Sequence, residues 1–103
     1  LFYGAKHPAE LANYCWLKAV ETQHSNFTYQ PIVSNASSIW CGPVGRVQIP
    51  LAVFLDTHRD LHRCLFFLCG PPAMMNDVIQ LLLRYSVNEN AIQIDSFSPF
   101  TTT

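Results

Sequence analysis

The run Leu65-Phe66-Phe67-Leu68-Cys69, closed by Gly70-Pro71-Pro72, constrains the fold more than any other stretch of this chain. A continuous apolar run of this length, bounded by turn residues, is the pattern of a strand buried on both faces, as in parallel sheets. Gly70-Pro71-Pro72 stops the strand and starts a helix. Met75, Val78, Ile79, Leu82 and Tyr85 give that helix an apolar stripe at 3.6-residue spacing.

The same alternation runs through the whole sequence. Leu1 to Tyr3 reads as an apolar strand that ends at Gly4, and Pro8 suits a first helical position, where its missing N–H has no partner to lose. Leu11, Cys15 and Ala19, with Tyr14 beside them, mark one face of a helix to about Thr22. Phe27 to Ser34 reads as a strand, and Pro31 within it removes a ladder donor and places it at an edge. After a loop from Asn35 to Gly45, the residues Val44, Val47, Leu51, Phe54 and Leu55 fit a second helix with Pro50 in its first turn or at a kink. A last strand alternates from about Ala91 to Asp95. Strands that alternate with helices call for an α/β fold: a parallel sheet with helices on both faces and right-handed crossovers. With strands numbered along the chain, the expected order is 2-1-3-4. Ligands bind at the carboxyl ends of such strands, where the order reverses. Gly4-Ala5-Lys6 and Cys69-Gly70-Pro71-Pro72 flank that edge.

Composition narrows the function classes. The 103 residues allow one domain. Half are apolar and 13% are charged, against the usual quarter, which suggests surface that faces another lobe. The net charge is −1 and the six Lys and Arg are scattered, so nothing favours nucleic acid. The longest apolar run is far short of a membrane span. The chain opens on Leu1 inside a strand and is expected to be a piece of a longer protein. Its four cysteines form no CxxC pair and have no zinc spacing, and Cys15, Cys41 and Cys64 are expected to be structural thiols. His58 and His62 stand four apart but lack a third ligand, so no metal is expected.

Four segments occur in an order that carries a family resemblance: Leu1-Phe2-Tyr3-Gly4-Ala5-Lys6, Trp40-Cys41-Gly42-Pro43-Val44-Gly45-Arg46-Val47, Leu68-Cys69-Gly70-Pro71-Pro72-Ala73-Met74 and Ile92-Gln93-Ile94-Asp95-Ser96-Phe97. Together they resemble the nicotinamide-binding lobe of the ferredoxin–NADP reductase superfamily. Within that superfamily the segments look most like the F subunit of sodium-translocating NADH:quinone reductase, and reductase components of multicomponent oxygenases come next. The likeness covers nearly the whole chain and implies a partial NAD-binding lobe over residues 1–97 with a tail over 98–103.

The family lobe has five parallel strands, and nothing in this chain matches its first, central strand or the glycine-rich turn that follows. The four strands present are therefore expected to close the gap by pairing Leu1–Tyr3 with Leu65–Cys69, or to exchange a strand between copies. The resemblance implies NADH as hydride donor and FAD as acceptor, the FAD held mainly by a lobe absent here. It further implies a quinone or iron–sulfur acceptor, with a 2Fe-2S cluster in the parent protein. The implied location is the cytoplasm, at the inner membrane where the parent joins a membrane complex. The isolated chain is expected to be inactive. The alternative is a stand-alone flavodoxin-like binding module without catalysis.

Residue roles follow from the same resemblance. Cys69 matches the cysteine that shapes hydride transfer beside the nicotinamide, and Gly70, Pro71, Pro72 and Met74 form the turn under it. Ala5 and Lys6, after Gly4, match a Gly-Ala-Arg turn near the adenosine, with Lys in place of Arg. Ser34 and Asn35 stand where NADP-specific members carry Ser-Arg, and Asn35 cannot neutralise a 2′-phosphate, which favours NADH. Phe97 matches an aromatic that stacks on the flavin.

Overall fold

A computed structural model describes residues 1–36 and 39–96. Four strands are present among them: β1 (Phe2–Ala5), β2 (Gln30–Val33), β3 (Phe66–Gly70) and β4 (Ile92–Ser96). Three α-helices alternate with them: α1 (Tyr14–Gln23), α2 (Gln48–Thr57) and α3 (Pro72–Arg84). The chain divides into two compact units, Leu1–Leu51 and Ala52–Thr103, and α2 runs across the division.

In the first unit β1 and β2 pair in parallel, with Phe2 opposite Gln30 and Ala5 opposite Val33. Pro31 lies within β2 as an edge-strand residue, and a short parallel bridge joins Val33 to Val44. Gly4 does not end the strand, which continues through it to Ala5. A Cβ at Gly4 would approach Val47 Cβ to 3.3 Å, so glycine there permits close packing. The buried residues of this unit are Leu11, Tyr29, Pro31, Ile32, Val33, Val47 and Leu51.

The first helix departs from its expected face. Pro8–Glu10 form a 3-10 turn, and Asn13 adopts a left-handed φ of 57° before α1 begins. That break resets the helical phase, so Leu11 belongs to the turn and not to the helix stripe. Cys15 and Ala19 point to solvent, and Tyr14, Leu17, Val20 and Glu21 take the half-buried face. From that face Glu21 accepts the backbone N–H of Tyr29 at 2.7 Å. Cys15 and Cys41 are exposed and Cys64 is half-buried, so the first two are not core thiols.

In the second unit β3 and β4 pair in parallel from Phe66–Ile92 to Gly70–Ser96. The expected stripe of α3 is observed: Met75, Val78 and Leu82 are buried, with Ile79 and Tyr85 half-buried. The helix ends in a 6→1 bond from Val87 N–H to Leu82 O and a 5→2 bond from Ser86 N–H to Leu83 O. Ser86 supplies the left-handed residue, φ 64°, that glycine usually supplies.

Two expectations about the sheet fail. β1 and β3 do not pair: each sheet has two strands, β1–β2 and β3–β4. The continuous order 2-1-3-4 is therefore corrected to two parallel pairs. Among the described residues β1 and β3 each keep one edge unbridged. Nor is β3 buried on both faces. Phe66 and Leu68 are half-buried, but Leu65 is 66% exposed, Phe67 74%, and Cys69 is exposed. Two faces need two covering layers, and α3 supplies one.

One surface contact has a pH signature. The Tyr85 hydroxyl donates a hydrogen bond to Asp56 Oδ1. That bond, with lesser contributions from burial and the Asp56 charge, raises the phenol above its ordinary value of 10.0, and Arg84 opposes the rise. The folded state therefore holds the proton more tightly than the unfolded state. Its stabilisation is complete below the ordinary phenol range and is lost as pH rises through the raised value. Denaturant midpoints of the wild type and Tyr85→Phe should converge as pH climbs past about 10. A gap that stays constant to the highest accessible pH would contradict this.

Candidate functional site

The strand ends gather the predicted residues into two patches, one on each unit. In the first, β1 and β2 continue their pairing past the strands themselves. Ser34 N–H donates to Ala5 O at 3.0 Å and Asn35 N–H to Lys6 O at 2.7 Å. These two bonds fix Ala5-Lys6 beside Ser34-Asn35, and the side chains of Lys6, Ser34 and Asn35 are exposed. The Trp40–Val47 segment folds back on the same strand end. Val33 N–H donates to Pro43 O at 3.3 Å, and Gly45 N–H returns to Val33 O at 2.7 Å. Gly45 has φ 138°, and a Cβ there would reach Ile49 Cδ1 at 2.7 Å, so glycine is a requirement of this close turn.

The second patch is the exit of β3. Cys69 is exposed at the strand end, and Gly70 follows it, buried, with φ 154°. A side chain at Gly70 would run into the Met74 methyl, so Met74 packs beneath the turn. Pro71 precedes α3 in an extended conformation and accepts Met75 N–H at 3.0 Å, and Pro72 is the first helical residue. Prolines at 71 and 72 strip two N–H groups from this helix start. A helix N-terminus without those donors is a poor phosphate cradle. The patch thus offers a thiol and a tight backbone turn, which suit an uncharged planar ring better than a pyrophosphate. Among the described residues there is no glycine-rich turn to hold one.

Asp95 has no role in the sequence expectations, and the parallel register sets it opposite Cys69 on the neighbouring strand, with backbones about 4.8 Å apart. Only the register reveals that neighbour, since the two residues are far apart in sequence. Phe97 lies outside the described residues. His58 stacks on Phe54 with centroids 4.9 Å apart, and His62 sits in the separate 3-10 turn Leu61–Arg63, so the pair does not share a helix. Among the described residues no group of three or more His, Cys, Asp or Glu could hold a metal, and no helix is long and apolar enough to cross a membrane.

Parallel strands alternating with helices define an α/β class whose members bind ligands at the strands' carboxyl ends, and comparison with known proteins narrows it. Residues 1–80 match the oxidoreductase NAD-binding domain family, and the chain belongs to that family. It is 29% identical over 98 residues to ferredoxin–NAD(P)(+) reductase CarAd of Metapseudomonas resinovorans, covering 94% of this chain and 28% of that protein. It is 28% identical over 99 residues to the F subunit of the Na(+)-translocating NADH-quinone reductase of Serratia proteamaculans strain 568, covering 93% and 24%. Among solved structures, the ferredoxin reductase in carbazole 1,9a-dioxygenase superimposes with a TM-score of 0.69 at 26% identity, over 94% of this chain and 28% of that one. The CS-b5R domains of human Ncb5or share the fold at a TM-score of 0.77 and 22% identity, over 92% and 26%. The chain spans about a quarter of the length of these relatives. The NAD-binding oxidoreductase domain that the sequence motifs implied is thus what this chain is.

Proposed function

We propose that the chain is the NADH-binding lobe of a longer flavin-dependent reductase, which presents the hydride of NADH to FAD held by another lobe. The observation that carries this reading is the exit of β3: exposed Cys69 followed by Gly70 at φ 154° and two prolines. Such a turn brings backbone close to a planar ring and leaves a small side chain at its edge. Bound NADH supplies the hydride and FAD accepts it. The residues of this chain bind and orient. Cys69 limits how the nicotinamide sits, and Gly70, Pro71, Pro72 and Met74 form the surface under it. Hydride transfer needs donor and acceptor held in near-attack contact, so these residues act through geometry, with no nucleophilic step at the thiol.

At the other patch, Lys6 and Asn35 receive the adenosine side, with Ala5 and Ser34 holding them through the paired backbone. Asn35 offers no positive charge for a 2′-phosphate, which favours NADH over NADPH. By the resemblance, Phe97, which lies outside the described residues, would be the aromatic that serves the flavin. A flavin so reduced would pass electrons to a quinone or an iron–sulfur acceptor in the parent protein. Relatives named as part of a sodium-translocating quinone reductase motivate a cytoplasmic site at the inner membrane, beside other members of a membrane complex.

NADH fluorescence on titration with the isolated chain tests the half-site. Weak saturable binding is expected, with Kd near or above about 1 mM, equivalent to roughly −4 kcal/mol, and NADPH weaker still. Micromolar binding would show that the missing pyrophosphate cradle is not needed, and a preference for NADPH would overturn the role of Asn35.

A further inference from the structure

A recess in the first unit lies apart from the residues assigned to the dinucleotide. It spans about 520 Å³ and is lined by Pro8, Leu11, Tyr14, Lys18, Trp40 and neighbouring loop residues, but by none of Gly4, Ala5, Lys6, Ser34 or Asn35. That volume is in the range of small-molecule sites, which are mostly apolar with a few fixed polar groups.

The walls are pre-arranged. Trp40 and Tyr14 meet edge to face, centroids 6.0 Å apart at 66°. Tyr14 also meets buried Tyr29 edge to face at 6.0 Å. The Trp40 ring is held by its own Nε1–H, which donates to Pro43 O at 2.9 Å. Lys18 Nζ lies 5.9 Å from the centroids of both Tyr14 and Tyr29, so its ammonium is parked against aromatic faces at the lining. Among the described residues Lys18 is the one charged member of the lining, and no acid shares it. Among the described residues the buried Tyr29 hydroxyl has no hydrogen-bond partner.

We propose that this recess binds a planar aromatic carboxylate, its ring against Tyr14 and Trp40 and its carboxylate on the Lys18 ammonium. A neutral ring would forgo the charge in the lining. A dianion would meet one cation where it needs two. An apolar floor of Pro8 and Leu11 with a single cation at the side fits a monoanion with a flat apolar body. The site does not rest on the NADH reading: its lining includes Trp40, Cys41 and Gly42 of the loop that folds back on the first strand end, but none of the residues assigned to the dinucleotide.

The test uses 4-fluorobenzoate, followed by fluorine NMR line broadening with the wild-type chain, with 4-fluorobenzyl alcohol as the neutral control and 5′-AMP as the nucleotide probe. Saturable broadening by the carboxylate is expected, at least about five-fold weaker in Lys18→Met and restored in Lys18→Arg. Both variants keep the aliphatic stem and lie on an exposed position of α1, so folding is preserved and can be checked by circular dichroism. Saturating NADH should not displace the fluorobenzoate. The proposal fails if the alcohol binds as well as the acid, or if Lys18→Met binds unchanged. It also fails if 5′-AMP or NADH competes, which would make the recess part of the dinucleotide site and leave the NADH reading standing.

Discussion

Leu82→Ala should lower the unfolding free energy by about 3 kcal/mol, within the roughly 2–5 kcal/mol range of buried leucine truncations. Leu82 is fully buried at 0% exposure, on the inward stripe of α3 beside Met75 and Val78. Its carbonyl also accepts N–H groups from Tyr85 and Val87 where the helix closes. The closing bonds are backbone and survive the substitution, so the loss is that of packing and of the cavity left behind. A chain of this size is stabilised by roughly 5–10 kcal/mol, so the variant should unfold at about half the denaturant concentration. Urea unfolding followed by circular dichroism measures this. A midpoint within about a tenth of the wild-type value would mean that α3 is not anchored through this residue.

Gly70→Ala is the second large effect, and it joins fold to site. At φ 154° a non-glycine residue costs about 1–3 kcal/mol of backbone strain. The new methyl would also run into the Met74 side chain. Met74 is flexible and half-buried, so it can move, but it then leaves its place beneath the Cys69–Pro72 turn. A stability loss of about 2 kcal/mol is expected, with weaker nicotinamide binding. The double variant Gly70→Ala with Met74→Ala separates the causes: it relieves the clash and keeps the strain. Partial recovery supports both causes, and full recovery would show that the backbone there carries no strain. A single variant as stable as wild type would contradict the glycine requirement altogether.

The α3 stripe and its proline start were legible because a soft 3.6-residue pattern and two prolines act locally. Pro50 likewise falls in the first turn of α2, as a missing N–H dictates. The faces of α1 were not legible, because the left-handed Asn13 breaks the phase, and an asparagine allows such a break without requiring it. The continuous apolar run in β3 suggested two covered faces. Such a run states what a strand can bury, whereas the layers that bury it lie elsewhere in the chain or outside it. For the same reason the β1–β3 pairing was expected and is absent: nothing local to either strand says whether its second edge has a neighbour. The candidate site was read from glycine and proline exits, which is where backbone chemistry writes itself into sequence. The Asp95–Cys69 neighbourhood depended on register, and the Tyr14, Lys18 and Trp40 recess on three-dimensional assembly of residues 14 to 40.

Delivery of hydride from NADH to a flavin is tested most directly in a chimera. This chain replaces the matching quarter of the Metapseudomonas resinovorans ferredoxin–NAD(P)(+) reductase, and the remainder of that protein is left unchanged. Stopped-flow bleaching of the bound flavin is then measured with NADH and with NADPH. The prediction is rapid reduction by NADH, slower reduction by NADPH, and a rate at least about ten-fold lower in Cys69→Trp, where the ring would fill the nicotinamide position. A folded, flavin-loaded chimera that dithionite reduces but NADH does not would contradict it.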